Sequence, residues 1–148
     1  MDARQLVRRT PVVRPADALA PALAAMLAAD LPGLVVRLDR EFLVIPASQA
    51  LRAVLPRYVL DDAALGRVWD EASADVLMQR LAGKQVADLV AAIDRDRDGP
   101  DHVVEADATV VELAAVMAAA HLPLVAVVED GRLLGVVTVD DLLGRLLA

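Results

Sequence analysis

Residues 122–143, LPLVAVVEDGRLLGVVTVDDLL, decide the fold of this chain. Two short apolar runs flank Asp130 and Gly131, and Asp-Gly between apolar runs is the strongest short-range signal of a β-hairpin. Apolar runs of this length, bounded by turn residues, are typical of strands buried on both faces. The stretch therefore predicts a buried hairpin that leads into a helix over residues 138–147.

The N-terminal part of the chain contains a second copy of this pattern. VVRPADALAPALAAMLAADLP (residues 12–32) aligns without a gap with VVEADATVVELAAVMAAAHLP (residues 103–123). Each copy reads as a short β-branched strand, an Ala-rich amphipathic helix, Leu-Pro, a hairpin and a second helix. In the first copy the hairpin turn is one residue shorter, and the second helix is expected over residues 46–55. The sequence predicts an α/β (α+β) fold of two pseudo-symmetric halves.

Extra sequence separates the two copies. Asp61 and Asp62 open a helical pattern of apolar residues that ends near Gly83 and contains Trp69, which is either a core residue or an interface anchor. Short lead-in segments over residues 3–7 and 84–93 precede the copies. We therefore expect three parts: a degenerate first copy over 1–57, a helical insertion over 58–82 and the second copy over 83–148.

Composition narrows the classes of function. The chain has 148 residues, is 57% hydrophobic and 2% aromatic, carries a formal charge of −7 and contains no cysteine. An acidic protein with so few aromatic residues is a poor partner for a nucleic acid polymer. The absence of cysteine suits a reducing compartment. The N-terminus lacks an apolar signal stretch, and the longest uncharged run is too short to span a bilayer. We expect a cytoplasmic protein without direct membrane insertion.

The second copy resembles the CBS (cystathionine β-synthase) domain, which occurs in tandem pairs called Bateman modules. The resemblance rests on Leu-Pro before a strand, on the acidic-Gly turn, and on the closing motif of Gly135, Val136, Val137, Thr138 and Asp141. It implies tandem CBS domains in a stand-alone bacterial regulatory protein without catalytic residues. It further implies a homodimer that controls a separate protein, for example a membrane transporter or an enzyme.

The resemblance also implies a ligand site, because clefts in this family bind adenosine-containing ligands such as AMP, ADP, ATP or S-adenosylmethionine. By position, Asp141 would hold the ribose hydroxyls, Thr138 would face the phosphate, and Gly135 would let the backbone approach the ligand. A carboxylate can accept from two vicinal hydroxyls, and a helix start favours an anion. No resident cofactor is implied. The remaining contacts are expected from Val103, Val104, Ala126 and His121.

Two observations weaken the ligand hypothesis. Thr138 and Asp141 also form the pattern of an ordinary capping box, which would stabilise the helix without any ligand. In the first copy, Leu43, Pro46 and Gln49 stand where the motif has Gly, Thr and Asp. We expect one competent cleft at most.

Residues 94–105 offer a calcium alternative. Asp94, Asp96, Asp98 and Glu105 satisfy the spacing of an EF-hand loop, with Gly at the turn. Pro100 stiffens this loop, however, and the sequence provides no second loop to pair with it. A solvated acidic loop is the preferred interpretation, so no metal site is expected.

Catalysis finds little support in the sequence. The two histidines, His102 and His121, and the two serines, Ser48 and Ser73, lie in no recognisable catalytic motif. We predict a regulatory ligand sensor that is not an enzyme, with a ligand-free dimerisation or partner-binding scaffold as the alternative.

Overall fold

The computed structural model describes residues 1–68, 71–93 and 102–148. Two three-stranded sheets form, each with one parallel and one antiparallel pair, in the orders β1-β2-β3 and β4-β5-β6. This confirms the predicted α/β (α+β) class with two similar halves. The strands are β1 (Val12–Val13), β2 (Gly33–Arg37), β3 (Phe42–Pro46), β4 (Val103–Glu105), β5 (Leu124–Glu129) and β6 (Arg132–Thr138).

Helices cover the sheets and fill the connection between the halves. The α-helices are α1 (Leu19–Ala28), α2 (Arg57–Asp61), α3 (Glu71–Ala82), α4 (Val86–Ala92), α5 (Val110–Ala120) and α6 (Val139–Leu147). Short 3-10 helices cover Ala3–Gln5, Ala47–Ala53 and Ala63–Val68. The repeat is visible in the packing, because Ala22 and Met26 of α1 occupy the same positions as Leu113 and Met117 of α5, and all four are buried.

The predicted hairpin in the second half is present. Asp130 and Gly131 both have positive φ, 52° and 77°, which is the backbone of a two-residue turn between twisted strands. The hairpin of the second copy is one residue longer than that of the first, and the extra residue forms a β-bulge. Val127 pairs with Gly135 and Val128 pairs with Leu133, so Leu134 is left without a partner in the pairing. The extra residue is therefore taken up within β6 rather than in the turn.

The second helix of the first half differs from the prediction. Pro46 was expected in the first helical turn, but it ends β3, where it pairs with Gly33. The following segment is a 3-10 helix, Ala47–Ala53, rather than an α-helix over residues 46–55. No side chain caps its start, and Pro56 disfavours helical backbone in the residue before it. A short, tight helix results.

The insertion is also more broken than the sequence suggested. Instead of one helix from residue 61, the structure describes α2, a 3-10 helix and α3. The break falls at Asp62, which has extended backbone and accepts a hydrogen bond from the Ala64 N–H at 3.1 Å. Trp69 lies outside the described residues. The division of the chain at residues 57 and 82 stays a prediction.

The second sheet is buried on both faces, as its apolar runs predicted. Leu124, Ala126 and Val136 point into the core that contains α1 and the first sheet. The alternate residues Val125 and Val127 belong to a second cluster with α5 and α6. The sheet of the second half therefore joins the two halves through one face and carries its own helices on the other.

The lead-in segments pack on opposite halves. Ala3 is fully buried against the second half, where its N–H donates to the Ala108 carbonyl at 2.8 Å. Arg4 also binds there through Glu129, and this hydrogen bond is the main reason why the pKa of the Arg4 guanidinium lies above its ordinary value. Conversely, Val86 and Leu89 of α4 are buried in the core of the first half. The chain thus exchanges its lead-ins between the two halves.

Candidate functional site

The closing motif places Thr138 and Asp141 at the start of α6. Thr138 is buried, with 3% of its surface exposed, and its Oγ1 accepts a hydrogen bond from the Asp141 N–H at 3.1 Å. This half of the expected capping box is present. Asp141 Oδ2 is buried and has no hydrogen-bond partner among the described residues. A buried carboxylate oxygen without a donor is rare, and it points to a missing polar partner.

Asp141 lines an open cavity of about 470 Å³ between α6 and the N-terminal segment. Such a volume lies within the range of small-molecule sites. Arg8 faces Asp141 across the cavity, with Nη1 at 3.8 Å from Oδ2, which is close enough for an ion pair but too long for a hydrogen bond. Arg145 adds a second cation, and Leu6 and Val7 supply apolar surface.

Arg8 also connects the site to the first half. Its Nη2 donates to the carbonyl oxygen of Ala29, just after the end of α1, at 3.2 Å. Its backbone pairs with Val136 of β6 through two hydrogen bonds of 2.9 Å. One residue therefore contacts the segment after α1 of the first half and both β6 and α6 of the second.

Gly135 allows a close approach to the backbone, as expected, but the group that approaches it is the Arg8 carbonyl of the protein itself rather than a ligand. A Cβ at this position would overlap the carbonyl oxygen of Arg8, and the φ of Gly135 is +157°. The structure therefore explains the glycine of the motif by the close packing of the N-terminal segment on β6. The segment so placed includes Arg8.

The apolar residues that were expected to contact the ligand do not line the cavity at Asp141. Val103 and Val104 are half-buried on β4, and Val103 lies opposite Ala126 in the parallel pair. Ala126 has no exposed surface and belongs to the core between the halves, so it is not available to a ligand. The apolar surface of the cavity comes instead from Leu6 and Val7.

His121 lies on a different surface from Asp141. It ends α5 with left-handed backbone, φ 54°, as Asp30 does after α1 with φ 55°. Its neighbours include Pro46 and Gln49, the residues that replace Thr and Asp in the first copy, around a cavity of about 570 Å³. The structure thus brings His121 to the degenerate motif and leaves Arg145 beside the intact one.

The sequence analysis missed Arg8, Leu6 and Val7. Their signal was the similarity of residues 3–7 to the lead-in of the second copy, which marked a repeated element without showing where it packs. Only the exchange of lead-ins brings these residues to Asp141.

The calcium alternative lies almost entirely outside the described residues. Asp94, Asp96 and Asp98 fall in the part of the chain that is not described, and Glu105 is exposed on β4. In the described ranges no group of three or more His, Asp or Glu side chains is arranged to hold a metal ion. Likewise, no helix within these ranges is long and apolar enough to cross a bilayer.

The two sheet-and-helix halves, joined through one core with a cleft at the closing motif, define a tandem regulatory module of the CBS type. The sequence profile of the CBS domain matches residues 86–148. A CBS domain-containing protein of unknown function from Kribbella flavida is 36% identical, and its structure aligns over 100% of this chain and 99% of that chain with a TM-score of 0.75. The chain belongs to the CBS domain family.

Two further solved structures share the fold. CBSX2, solved in complex with AMP, is 20% identical, with 99% of this chain and 96% of that chain aligned and a TM-score of 0.63. The hexameric CBS-CP12 protein from bloom-forming cyanobacteria is 18% identical, with 98% and 71% aligned and a TM-score of 0.63. No curated protein matches the chain in the corresponding sequence comparison. Members of this family are generally regulatory, ligand-binding proteins.

Proposed function

We propose that this protein is a regulatory sensor that binds an adenosine-containing ligand in the cavity at Asp141. AMP, ADP, ATP and S-adenosylmethionine are the candidates. The observation that carries the proposal is that Asp141, whose buried Oδ2 has no hydrogen-bond partner among the described residues, lines a 470 Å³ cavity. Ribose hydroxyls are the donors that this oxygen lacks. CBSX2, which shares the fold, was solved in complex with AMP, and this supports the choice of ligand.

The other residues around the cavity suit the rest of the ligand. Arg8 and Arg145 line the cavity together with Asp141, and guanidinium groups bind phosphate oxygens in a planar, two-pronged geometry. Leu6 and Val7 provide aliphatic surface for an adenine ring. The Thr138 oxygen already accepts the hydrogen bond that caps α6. A contact between this hydroxyl and the phosphate would therefore be an additional role.

The proposed mechanism is a shift between two arrangements of the halves. Arg8 binds the end of α1 and faces Asp141, so a ligand that draws Arg8 toward a phosphate changes the contact between the first and second halves. A ligand that binds one arrangement more tightly increases its population. A separate partner, for example a membrane transporter or an enzyme, would read the change.

The test is a thermal unfolding and calorimetric titration with the four ligands. We expect at least one of them to raise the melting temperature, because a ligand that binds only the folded state stabilises it. Asp141→Asn should weaken binding by about 10- to 100-fold, the range for a lost hydrogen bond to a charged group. Asp140→Asn is the matched control, since it removes the same charge from the exposed neighbouring position and should leave the affinity unchanged.

Two results would overturn the proposal. If none of the four ligands changes the melting temperature, the cavity is not an adenosine site. If Asp140→Asn weakens binding as much as Asp141→Asn, a general effect of charge at the helix start explains the attraction.

A ligand-free scaffold is the second candidate function. Large apolar side chains are exposed on three helices: Leu27 on α1 is 72% exposed, Val111 on α5 is 77% exposed and Leu147 on α6 is 84% exposed. Large apolar side chains exposed to solvent favour association when a second copy covers them. A homodimer is compatible with either function, so only the ligand titration separates the sensor from the scaffold.

A further inference from the structure

A second cavity, of about 640 Å³, lies where the N-terminal segment meets the hairpins of both halves. It is separate from the Asp141 cavity, since Arg8 borders that cavity and the next residue, Arg9, borders this one. The two cavities share no lining residue, although Gly135 of the closing motif lines this second one. The lining residues that matter here are Arg9, Arg14, Arg37, Arg132, Thr10 and Phe42.

The cavity concentrates positive charge on an acidic protein. Four of the chain's 15 basic residues lie here, although the formal net charge is −7. Neither Asp nor Glu occurs in the described lining. Like charges repel, and the repulsion is relieved by an anion that all of them can reach.

The arginines come from elements that are distant in sequence. Arg9 and Arg14 flank β1, and Arg37 ends β2 of the first half, whereas Arg132 begins β6 of the second half. The Arg37 guanidinium lies over the ring of Phe42, 5.8 Å from its centroid. This contact restrains the guanidinium plane while leaving its N–H groups at the edge free to donate.

We propose that this cavity binds a polyphosphate anion, meaning a small molecule with two or more linked phosphate groups. Two guanidinium groups can already neutralise a single phosphate, so four of them match a chain of phosphates better. The anion would bridge the halves, because Arg37 and Arg132 belong to different hairpins. This inference does not depend on the proposed adenosine site.

The experiment is a calorimetric titration of the full chain with sodium tripolyphosphate, at low salt and at about 0.15 M salt. We expect saturable binding that weakens with salt. The double variant Arg37→Gln/Arg132→Gln should bind at least tenfold more weakly. The control Arg52→Gln/Arg80→Gln changes the net charge equally at two exposed arginines outside the cavity and should bind within twofold of the unchanged protein.

Further arms distinguish the two cavities. Asp141→Asn should retain tripolyphosphate binding, and adenosine, which has no phosphate, should not compete with it. Absence of saturable binding, or equal loss in the two double variants, would overturn the proposal. Arg8→Gln/Arg145→Gln removes the two cations of the Asp141 cavity, and loss of tripolyphosphate binding in this variant would place the anion there and would also overturn the proposal. Thermal unfolding of each variant verifies that it is folded.

Discussion

Gly33 lies where β2 approaches both β3 and the second half. A Cβ at this position would lie 2.7 Å from the Ile45 carbonyl oxygen and 2.7 Å from Leu124 Cδ2. The repeat alignment places Gly33 and Leu124 at equivalent positions, so a large residue in one copy packs over the smallest residue in the other. The identity of this residue is therefore fixed by the junction between the halves.

Gly33→Ala should lower the free energy of unfolding by about 1–3 kcal/mol, the usual cost of forcing an extra carbon into a packed core. Gly144→Ala is the matched control, because a Cβ on that helical glycine meets nothing within 4 Å. It should be neutral or should stabilise the protein by about 0.5–1 kcal/mol. Denaturant unfolding measures both, and an equal effect at the two positions would contradict the packing argument.

At the scale of single elements, the helices of the two halves begin in different ways. Thr109 and Thr138 cap α5 and α6, each accepting from a backbone N–H at 3.1 Å. Ala18 precedes α1 and offers no side-chain cap. The first N–H of α1, on Leu19, donates instead to the carbonyl of Lys84 at 2.9 Å. The segment before α4 thus replaces a capping side chain, which links the second lead-in segment to the first half.

Removing each threonine cap tests this comparison. Thr109→Ala should cost about 1 kcal/mol, the typical value for an exposed cap. Thr138→Ala should cost more, about 2 kcal/mol, because Thr138 is buried and its loss also leaves a small void. Denaturant unfolding of the two variants gives the difference. A larger loss at Thr109 would show that burial does not set the cost.

At the scale of the whole molecule, exposed apolar residues bear on whether two copies of the chain associate. The exposed apolar residues on α1 and α5 favour a homodimer, and placing a charge in such an interface is strongly unfavourable. Leu27→Glu and Val111→Glu should each raise the dissociation constant of the dimer by at least tenfold. Sedimentation equilibrium measures this constant. Ala82→Glu, on exposed surface of α3, should leave association unchanged. A monomeric parent protein at millimolar concentration would contradict the homodimer.

The sequence predicted elements well where local patterns were strong. The Asp130-Gly131 turn, the apolar runs of β5 and β6 and the helix after Thr138 follow from residues that are close in sequence. The helix predicted over residues 46–55 is present as a shorter 3-10 helix, Ala47–Ala53, because no side chain caps its start and Pro56 follows it. The inserted helical stretch is present but broken at Asp62. Asp141 could be identified from its motif, whereas Arg8 could not.

What the sequence determined by itself was the repeat, its strands and turns, and the position of Asp141 at the start of a helix. These depend on apolar periodicity, turn residues and capping, which act over a few residues. The tertiary structure alone decided that each lead-in packs on the opposite half, that Arg8 faces Asp141, and that four arginines share one cavity. Most of these contacts join residues that are far apart in the sequence, and side-chain packing between the halves, rather than local pattern, selects them.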